Sequence, residues 1–319
     1  MQPIGINDIG GLAMDLREVQ YLITLADEGS VSKAADKLYM AQSSLSQFLQ
    51  QYENDLGVRL FIRTSRGIRP TASGAVFIAH LRQIDSYYRQ ARSELWDSEG
   101  MKGGHVRFGI SSFRGEQILP RILKRFSEQY PEVSVDVTEE NSLMLEELLL
   151  EGKLDVAVIA LPAAKLKNEV TQLMRDEVCL VAPKGHPLGQ IARPCPDGQR
   201  WVSLEEAARF PLVLSGQGTI LGNLSRDLLQ KAKVLYTSEH RNISAAMAVA
   251  MAKGGIGLAF TYASCIDPDD HLEQFRIGEE GVFLDLGVAL PSREYHTASA
   301  RALAEIVCRA YREEGPAAP

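Results

Sequence analysis

The sequence offers little of what a metal site, a disulfide or a common active site requires. Its four cysteines, Cys179, Cys195, Cys265 and Cys308, form no Cys-x-x-Cys pair and show no metal-ligand spacing. We therefore expect reduced thiols, with a redox pair of Cys179 and Cys195 as the open alternative. The six histidines also lack metal spacing, and no Gly-x-Ser-x-Gly, P-loop or dinucleotide fingerprint occurs. We expect neither an enzyme nor a bound cofactor or metal.

Long hydrophobic segments are absent as well. No apolar run approaches the length of a membrane span, and the first residues have neither the basic nor the apolar region of a secretory signal. These absences predict a cytoplasmic protein without a membrane partner. Residues 1–13 are interpreted as a flexible extension. A chain of 319 residues is too long for one ordinary core, so two or three domains are expected.

Basic residues are outnumbered by acidic ones, 34 to 41. The net charge of −7 argues against a protein that coats nucleic acid indiscriminately, so any DNA contact must be local. Residues 56–84 nevertheless carry five arginines and no acidic residue, a patch suited to phosphates, although a solvated basic loop would look the same. The arginines are Arg59, Arg63, Arg66, Arg69 and Arg82.

Residues 30–52 predict two short helices joined by a tight turn at residues 39–41. Ser32 is a candidate cap for the first helix. The second helix carries Leu45, Phe48, Leu49 and Tyr52 at i, i+3, i+4 and i+7, an apolar stripe that predicts a core-facing side.

The opposite side of the second helix has no charge, which is unusual for an exposed helix. Glutamine can bond adenine through two hydrogen bonds and serine can bond either base, so such a face suits the major groove of DNA. A solvated Gln/Ser-rich helix is the alternative. The residues of this face are Gln42, Ser43, Ser44, Ser46, Gln47, Gln50 and Gln51.

The segments on either side complete a winged helix-turn-helix, which we place at residues 14–72. An amphipathic helix over residues 16–28 precedes the pair, with Leu16 predicted to face inward. After it, Val58, Leu60 and Ile62 alternate as a strand, and residues 65–67 turn the chain back. Arg63, Ser65 and Arg66 would then lie on the wing, within reach of phosphate or the minor groove.

Thr71 is predicted to cap a long helix over residues 72–97, followed by a linker at residues 98–104. Apolar residues recur along this helix in the a/d spacing of a coiled coil, which favours pairing with a second copy of the chain. The alternative is packing on the chain itself. The seam consists of Phe77, Leu81, Ile84, Tyr88, Ala91 and Leu95.

From residue 105 the pattern changes to alternating strands and helices, which predicts a parallel sheet covered by helices. We assign residues 105–178 and 276–313 to sensor lobe I and residues 179–275 to sensor lobe II. Residues 234–239 are predicted as a strand of lobe II. Two hinged α/β lobes of this kind bind a small molecule in the cleft between them.

With these segments in order, the chain resembles the LysR-type transcriptional regulators from Asp15 to about Arg312. The most specific stretch is GSVSKAADKLYMAQSSLSQFLQQYENDLGVRLFIRTSRGIRPTASG. The resemblance implies a winged helix-turn-helix, a long linker helix and a two-lobed, periplasmic-binding-protein-like α/β sensor domain. It also implies a homo-oligomer (a dimer or a dimer of dimers) on double-stranded DNA, a small-molecule effector between the lobes, and RNA polymerase as a partner.

The resemblance assigns DNA contacts to two helices and the wing. Ala41 departs from the family pattern, in which Ser or Thr is usual, and Ser43 stands where Pro is frequent. Gln47 stands where a basic or amide residue is common. These three positions leave the motif intact but make the target bases unpredictable. The assigned residues are Ser32, Lys33, Gln42, Ser43, Ser44, Ser46, Gln47, Gln50, Arg63, Ser65 and Arg66.

Effector contacts are expected where sensor strands end and helices begin, because free N–H groups and helix dipoles there suit an anion such as a carboxylate. Each residue could instead be an ordinary helix cap. Glu139 and Glu140 would oppose a multiply charged anion if they face the cleft. The candidates are Ser111, Ser112, Phe113, Asn141, Ser142, Leu161, Ser215, Gly218, Thr219, His240 and Thr261.

Two other protein classes fit parts of the sequence. A solute-binding protein would share the two lobes, but the helix-turn-helix and the missing export signal oppose it. A structural DNA-bundling protein would bind unrelated duplexes almost equally well.

Overall fold

A computed structural model describes residues 15–65, 67–98, 103–166, 170–267, 269, 271–291 and 296–314. The predicted extension at residues 1–13, most of the linker at residues 98–104, and Arg66 lie outside these ranges. The chain falls into two units that divide between Arg92 and Ser93.

The first unit holds three helices, a hairpin and a long helix as far as Arg92. Asp15 and Glu18 form a reciprocal capping box at the start of the first helix, and Gly29 ends it with a φ of +58°. The elements are α1 Leu16–Glu28, α2 Val31–Lys37, α3 Gln42–Leu56, β1 Phe61–Thr64, β2 Gly67–Pro70 and α4 Ala72–Ser98.

Three local predictions for this unit are wrong. Ser30, not Ser32, caps α2, because Ser30 has the extended backbone of an N-cap and its hydroxyl accepts the amide hydrogen of Lys33. Leu16 lies at the solvent-facing start of α1 and is exposed. The hairpin strand begins at Phe61, one residue out of phase with the predicted alternation, so Phe61 is buried and Ile62 is exposed.

The long helix α4 divides its apolar residues between two environments. Thr71 caps it as predicted, accepting the amide hydrogen of Gly74. Leu81 is buried in the core of the first unit. This part of α4 therefore packs on its own chain, the alternative to pairing with a second copy. Ile84, Tyr88 and Leu95, farther along the same seam, are exposed.

The second unit is an α/β fold whose first part alternates strands and helices. Its elements up to the first long strand are β3 His105–Ile110, α5 Ser112–Gln129, β4 Ser134–Glu139, α6 Ser142–Leu150, β5 Val156–Leu161 and β6 Val170–Pro183. The later elements are α7 Leu188–Ile191, β7 Arg193–Pro194, β8 Arg200–Val202, α8 Leu204–Ala207, β9 Leu212–Ser215, α9 Ile220–Lys231, β10 His240–Ile243, α10 Ala245–Lys253, β11 Leu258–Tyr262, a 3₁₀ turn Ala263–Cys265, β12 Leu272–Ile277, β13 Val282–Ala289 and α11 Ala298–Glu314.

The strands form one sheet in the order β10-β9-β11-β6-β13-β5-β3-β4, with β12 beside β6. β3 runs parallel to β4 and β5, and β9 runs parallel to β10 and β11. The first half of β6 pairs with β13 and its second half with β11 and β12. Separate cores lie on each side of this crossing, one around Phe108 and Phe126 and the other around Phe260 and Phe275.

The strand predicted at residues 234–239 is not formed. The chain is irregular there, with Lys233 at a φ of +54° and Leu235 almost fully exposed. Regular pairing with β9 begins at His240, although the Thr237 carbonyl oxygen already accepts the amide hydrogen of Leu212 at 2.9 Å.

Candidate functional site

Helix α3 presents the uncharged face that the sequence predicted. Leu45 and Tyr52 are buried on one side, where they anchor α3 in the core of the first unit. On the other side Ser46 is half-buried, and five predicted contact residues are exposed: Gln42, Ser43, Ser44, Gln47 and Gln50. The helix therefore offers amide and hydroxyl groups to a partner without any ionic group among them.

A groove of about 790 Å³ runs between α3 and the hairpin, and Ser46, Gln50 and Arg63 line it. The Glu53 carboxylate fixes its width by accepting the backbone amide hydrogens of Leu60, at 2.7 Å, and Phe61, at 2.8 Å. Helix and wing are thus held together as one surface.

The tip of the hairpin is anchored to the end of α1. Ile68 donates its amide hydrogen to the Gly29 carbonyl oxygen at 2.8 Å. A Cβ on Gly67 would lie 2.1 Å from that same oxygen, so this contact requires glycine. Ser65 at the turn is exposed, and Arg66 lies outside the described residues.

Ser32 and Lys33 are exposed on α2. Ala41 makes no side-chain cap on α3, because its methyl group cannot accept a hydrogen bond. Tyr39, in the turn between the two helices, was not predicted as a contact residue. Its backbone is left-handed, with a φ of +54°, and its side chain is 97% exposed. A bulky residue in this conformation is uncommon, and such strain is found at functional positions. The feature of the sequence that could have identified this position is an aromatic residue in a turn, where Gly or Asn is favoured.

In the second unit a cavity of about 470 Å³ lies between the two cores, at the carboxyl ends of β3, β4 and β5. Helices α5, α6, α9 and α10 all begin at this cavity. Six of the predicted effector residues line it: Ser111, Ser112, Phe113, Asn141, Ser142 and Thr219.

Several of these side chains are engaged by their own backbone. Asn141 caps α6 by accepting the Met144 amide hydrogen, and Thr219 caps α9 by accepting that of Gly222. Ser142 accepts the amide hydrogen of Ala160 at 2.7 Å. The Ser111 hydroxyl makes no capping bond on α5. The capping alternative therefore holds for Asn141 and Thr219 but not for Ser111.

Five predicted effector residues do not line the cavity. Ser215 and Thr261 are buried within the sheet, and Gly218 is exposed in the turn before α9. His240 begins β10, whereas the cavity lies beyond the last residue of that strand. The side chain of Leu161 packs in the core around Leu145. Strand ends alone did not distinguish side chains that point into the cleft from those that point into the core.

The charges at the cavity are mostly negative. Three glutamates line it, Glu116, Glu139 and Glu140, and all are exposed. Arg114 is the basic residue among the described lining. Its Nη1 donates to Oδ2 of Asp176 at 2.6 Å, and its guanidinium carbon lies 3.8 Å from the ring centroid of Tyr262.

The guanidinium of Arg114 stays charged despite its burial. Burial lowers the pKa of Arg114, but nearby Cys265, Tyr262 and Asp176 outweigh that effect and raise the pKa above its ordinary value. Arg114 also borders a second cavity of about 370 Å³. Arg114, Tyr262 and Ser244 line the cleft without having been predicted, since their positions depend on packing between distant segments.

The thiols are free and poorly placed for redox chemistry. Cys179, Cys195 and Cys265 are buried, and no disulfide joins Cys179 to Cys195. Burial raises the pKa of Cys179 well above its ordinary range and that of Cys265 to about 11. Within the described ranges no group of His, Cys, Asp and Glu side chains is arranged for a metal ion, and no helix could cross a membrane.

Comparison with known proteins gives matches over nearly the whole chain. Residues 99–312 match the LysR substrate binding domain, and residues 16–75 match the bacterial regulatory helix-turn-helix protein, lysR family. The HTH-type transcriptional regulator ShiR of Corynebacterium glutamicum is 29% identical over 251 residues, covering 78% of this chain and 82% of ShiR.

Two full-length solved structures share the fold. An OxyR variant from Pseudomonas aeruginosa, 20% identical, superposes with a TM-score of 0.67 over 94% of this chain and 98% of its own. CbnR, solved in complex with its target DNA, is 21% identical, with a TM-score of 0.62 over 93% of this chain and 100% of its own. These matches confirm the predicted fold class: a winged helix-turn-helix followed by an α/β ligand-binding domain.

Proposed function

Because the chain belongs to the LysR family of transcriptional regulators, we propose that it binds a specific operator as a homo-oligomer and responds to a small molecule held in its cleft. The DNA-binding and effector-binding parts are common to LysR-type regulators, which are not enzymes. For this chain we propose a specific operator, a homo-oligomer, a small-molecule effector and contact with RNA polymerase.

One observation carries the proposal: the exposed, uncharged face of α3 beside the arginine-bearing hairpin of the same unit. We assign base reading to Gln42, Ser43 and Gln47, near the start of the helix, since the first residues of a recognition helix meet the base edges. Arg63 on the wing contacts phosphate or the minor groove.

The cleft supplies the regulatory input. A ligand that binds one arrangement of the two lobes more tightly shifts the population toward that arrangement. In an oligomer this shift changes the spacing of paired DNA-binding units, and the ligand and the operator then influence each other's affinity.

Selection of bound duplexes from a random pool, with and without a mixture of metabolites, tests the proposal. We expect two half-sites related by a two-fold axis and separated by about one helical turn, roughly 10 base pairs, or a multiple of it. Metabolites should change the affinity or the preferred spacing. A bound pool with the same composition as the input would refute sequence-specific binding.

A further inference from the structure

The exposure of individual side chains on α3 narrows the set of bases that this helix can read. Ser43, Gln47 and Gln50 lie at i, i+4 and i+7, so they share one side of the helix, and all three are exposed. Gln42, the first residue of the helix, is exposed as well. None of these four side chains makes a hydrogen bond to another described residue, so their polar groups are available to DNA.

The side chains that select G·C pairs are missing from this part of the helix. Guanine is read most often by Arg or Lys, which bond its O6 and N7 atoms, and cytosine by Asp or Glu, which accept from its N4 amino group. Residues 42–51 contain none of these four residue types. The next carboxylates are engaged within the chain: Glu53 accepts two backbone amide hydrogens at the hairpin, and Asp55 accepts a side-chain hydrogen of Gln51 at 2.7 Å.

The side chains that are present favour adenine. A glutamine amide bonds the N6 and N7 atoms of adenine at the same time, whereas a serine hydroxyl bonds either base. Gln42 and Gln47 can therefore distinguish bases, and Ser43 adds affinity without a strong preference.

Ala41 adds an apolar group at the same end of the helix. It directly precedes Gln42, its side chain is exposed, and it makes no capping hydrogen bond. Thymine carries a methyl group in the major groove, and alanine is one of the residues that contact this group. Ala41 is therefore suited to the thymine of an A·T pair, as the two glutamines are to adenine.

We propose that α3 reads A·T pairs in each operator half-site, with Gln42 and Gln47 bonding adenines and the Ala41 methyl group packing against the methyl group of a thymine. This inference rests on the proposed function, because it assigns the base pairs that the same helix reads.

Uracil substitution in the selected operator tests the thymine contact. Replacing one thymine at a time by uracil removes only the 5-methyl group and keeps the base pair. We expect one replacement in each half-site to weaken binding of the full-length protein by about fourfold, the effect of one buried methyl group. Fluorescence anisotropy measures this change.

A protein variant then locates the contact. Ala41→Gly removes the methyl group from the protein, and glycine is well tolerated at an N-cap. This variant should bind the thymine and uracil operators equally well. Ala164→Gly, at an exposed position of the second unit, is the matched control and should keep the fourfold difference.

A second variant tests the reading of adenine. Gln47→Arg should change the selected base at one position of each half-site from adenine to guanine, with a preference of about tenfold or more, because arginine bonds O6 and N7 of guanine. Gln129→Arg, at the exposed end of α5, adds the same charge and should leave the selected bases unchanged.

Four results would overturn the proposal while leaving sequence-specific binding intact. They are a selected core of G·C pairs, tolerance of uracil at every thymine, full sensitivity to uracil in Ala41→Gly, and unchanged base preference in Gln47→Arg. An A·T-rich core that tolerates uracil throughout would indicate that the protein reads the shape of the DNA instead. A random pool without any enrichment would overturn the proposed function itself.

Discussion

Arg114 and Asp176 form an almost completely buried ion pair with an Nη1–Oδ2 distance of 2.6 Å. Ser264, in the turn after β11, donates from its hydroxyl to the same carboxylate at 2.6 Å. Three segments far apart in sequence (the start of α5, the middle of β6 and the end of β11) therefore meet at one carboxylate beside the ligand cavity.

Removing the charge of Asp176 should destabilise the second unit strongly. Asp176→Asn leaves the Arg114 guanidinium buried without its counter-ion, which costs about 3–5 kcal/mol in the free energy of unfolding. Urea denaturation followed by circular dichroism measures this change. Asp227→Asn, at an exposed position on α9, is the control and should be neutral; equal stability of both variants would contradict the role of the pair.

Gln42 and Arg63 should affect DNA binding in different ways. Gln42→Ala should cost about 1–3 kcal/mol on the selected operator and almost nothing on random duplex, because it removes a base contact. Arg63→Ala should weaken both duplexes and reduce the salt slope by about 1, because it removes a phosphate contact. Fluorescence anisotropy over a range of salt concentrations separates the two; equal losses on both duplexes for Gln42→Ala would exclude base reading.

Tyr39 should contribute to DNA binding through its neutral hydroxyl. The turn before a recognition helix lies close to the DNA backbone when that helix enters the major groove. Tyr39→Phe should lower the affinity for operator and random duplex by the same factor, about fivefold for one lost hydrogen bond, and should leave the salt slope unchanged. A loss confined to the operator would instead indicate base contact, and an unchanged affinity would remove Tyr39 from the interface.

The exposed half of the α4 seam should mediate self-association. Ile84→Asp combined with Leu95→Asp places charges on the apolar stripe and should shift the protein toward smaller assemblies in sedimentation velocity. Ala79→Asp, an exposed position off the seam, should have no such effect. Leu81 is unsuitable for this test because it is buried in the core of the first unit, and its replacement by aspartate would destabilise that unit.

The buried thiols should not respond to peroxide. Cys265, whose pKa is raised to about 11 by burial, stays protonated at neutral pH, and the thiol is a poor nucleophile. Micromolar peroxide should leave operator binding unchanged, and alkylation should be slow until the protein unfolds. Stability should fall as the pH rises from about 9 toward 11, because only the unfolded chain ionises this thiol over that interval; a rise would contradict the assignment.

The sequence predicted those features that local chemistry determines. Helix α1 was predicted over residues 16–28, its observed bounds, where Asp15 caps its start and Gly29 its end. The two faces of α3 follow from the 3.6-residue period. The cap of α2 was misplaced because Ser30 and Ser32 both suit an N-cap, and only the backbone of Ser30 is extended.

Other features depended on packing between distant segments. The phase of the hairpin strand is determined by Glu53, which holds the amides of Leu60 and Phe61. The side chain of Arg114 is held at the cleft by its ion pair with Asp176, which lies 62 residues away in the sequence, on β6. Neither relationship leaves a periodic pattern in the sequence, so Glu139 and Glu140 could be anticipated at the cavity from their place at a strand end, whereas Arg114 could not.

Strand β6 spans both cores without interruption over fourteen residues, Val170–Pro183. Because its ladder of hydrogen bonds cannot bend sharply without losing partners, a rotation of one core relative to the other would change the twist of this shared strand. A bound effector that rotates the cores would therefore twist β6, and a small rotation near Asp176 would be transmitted to the strands that pair with it.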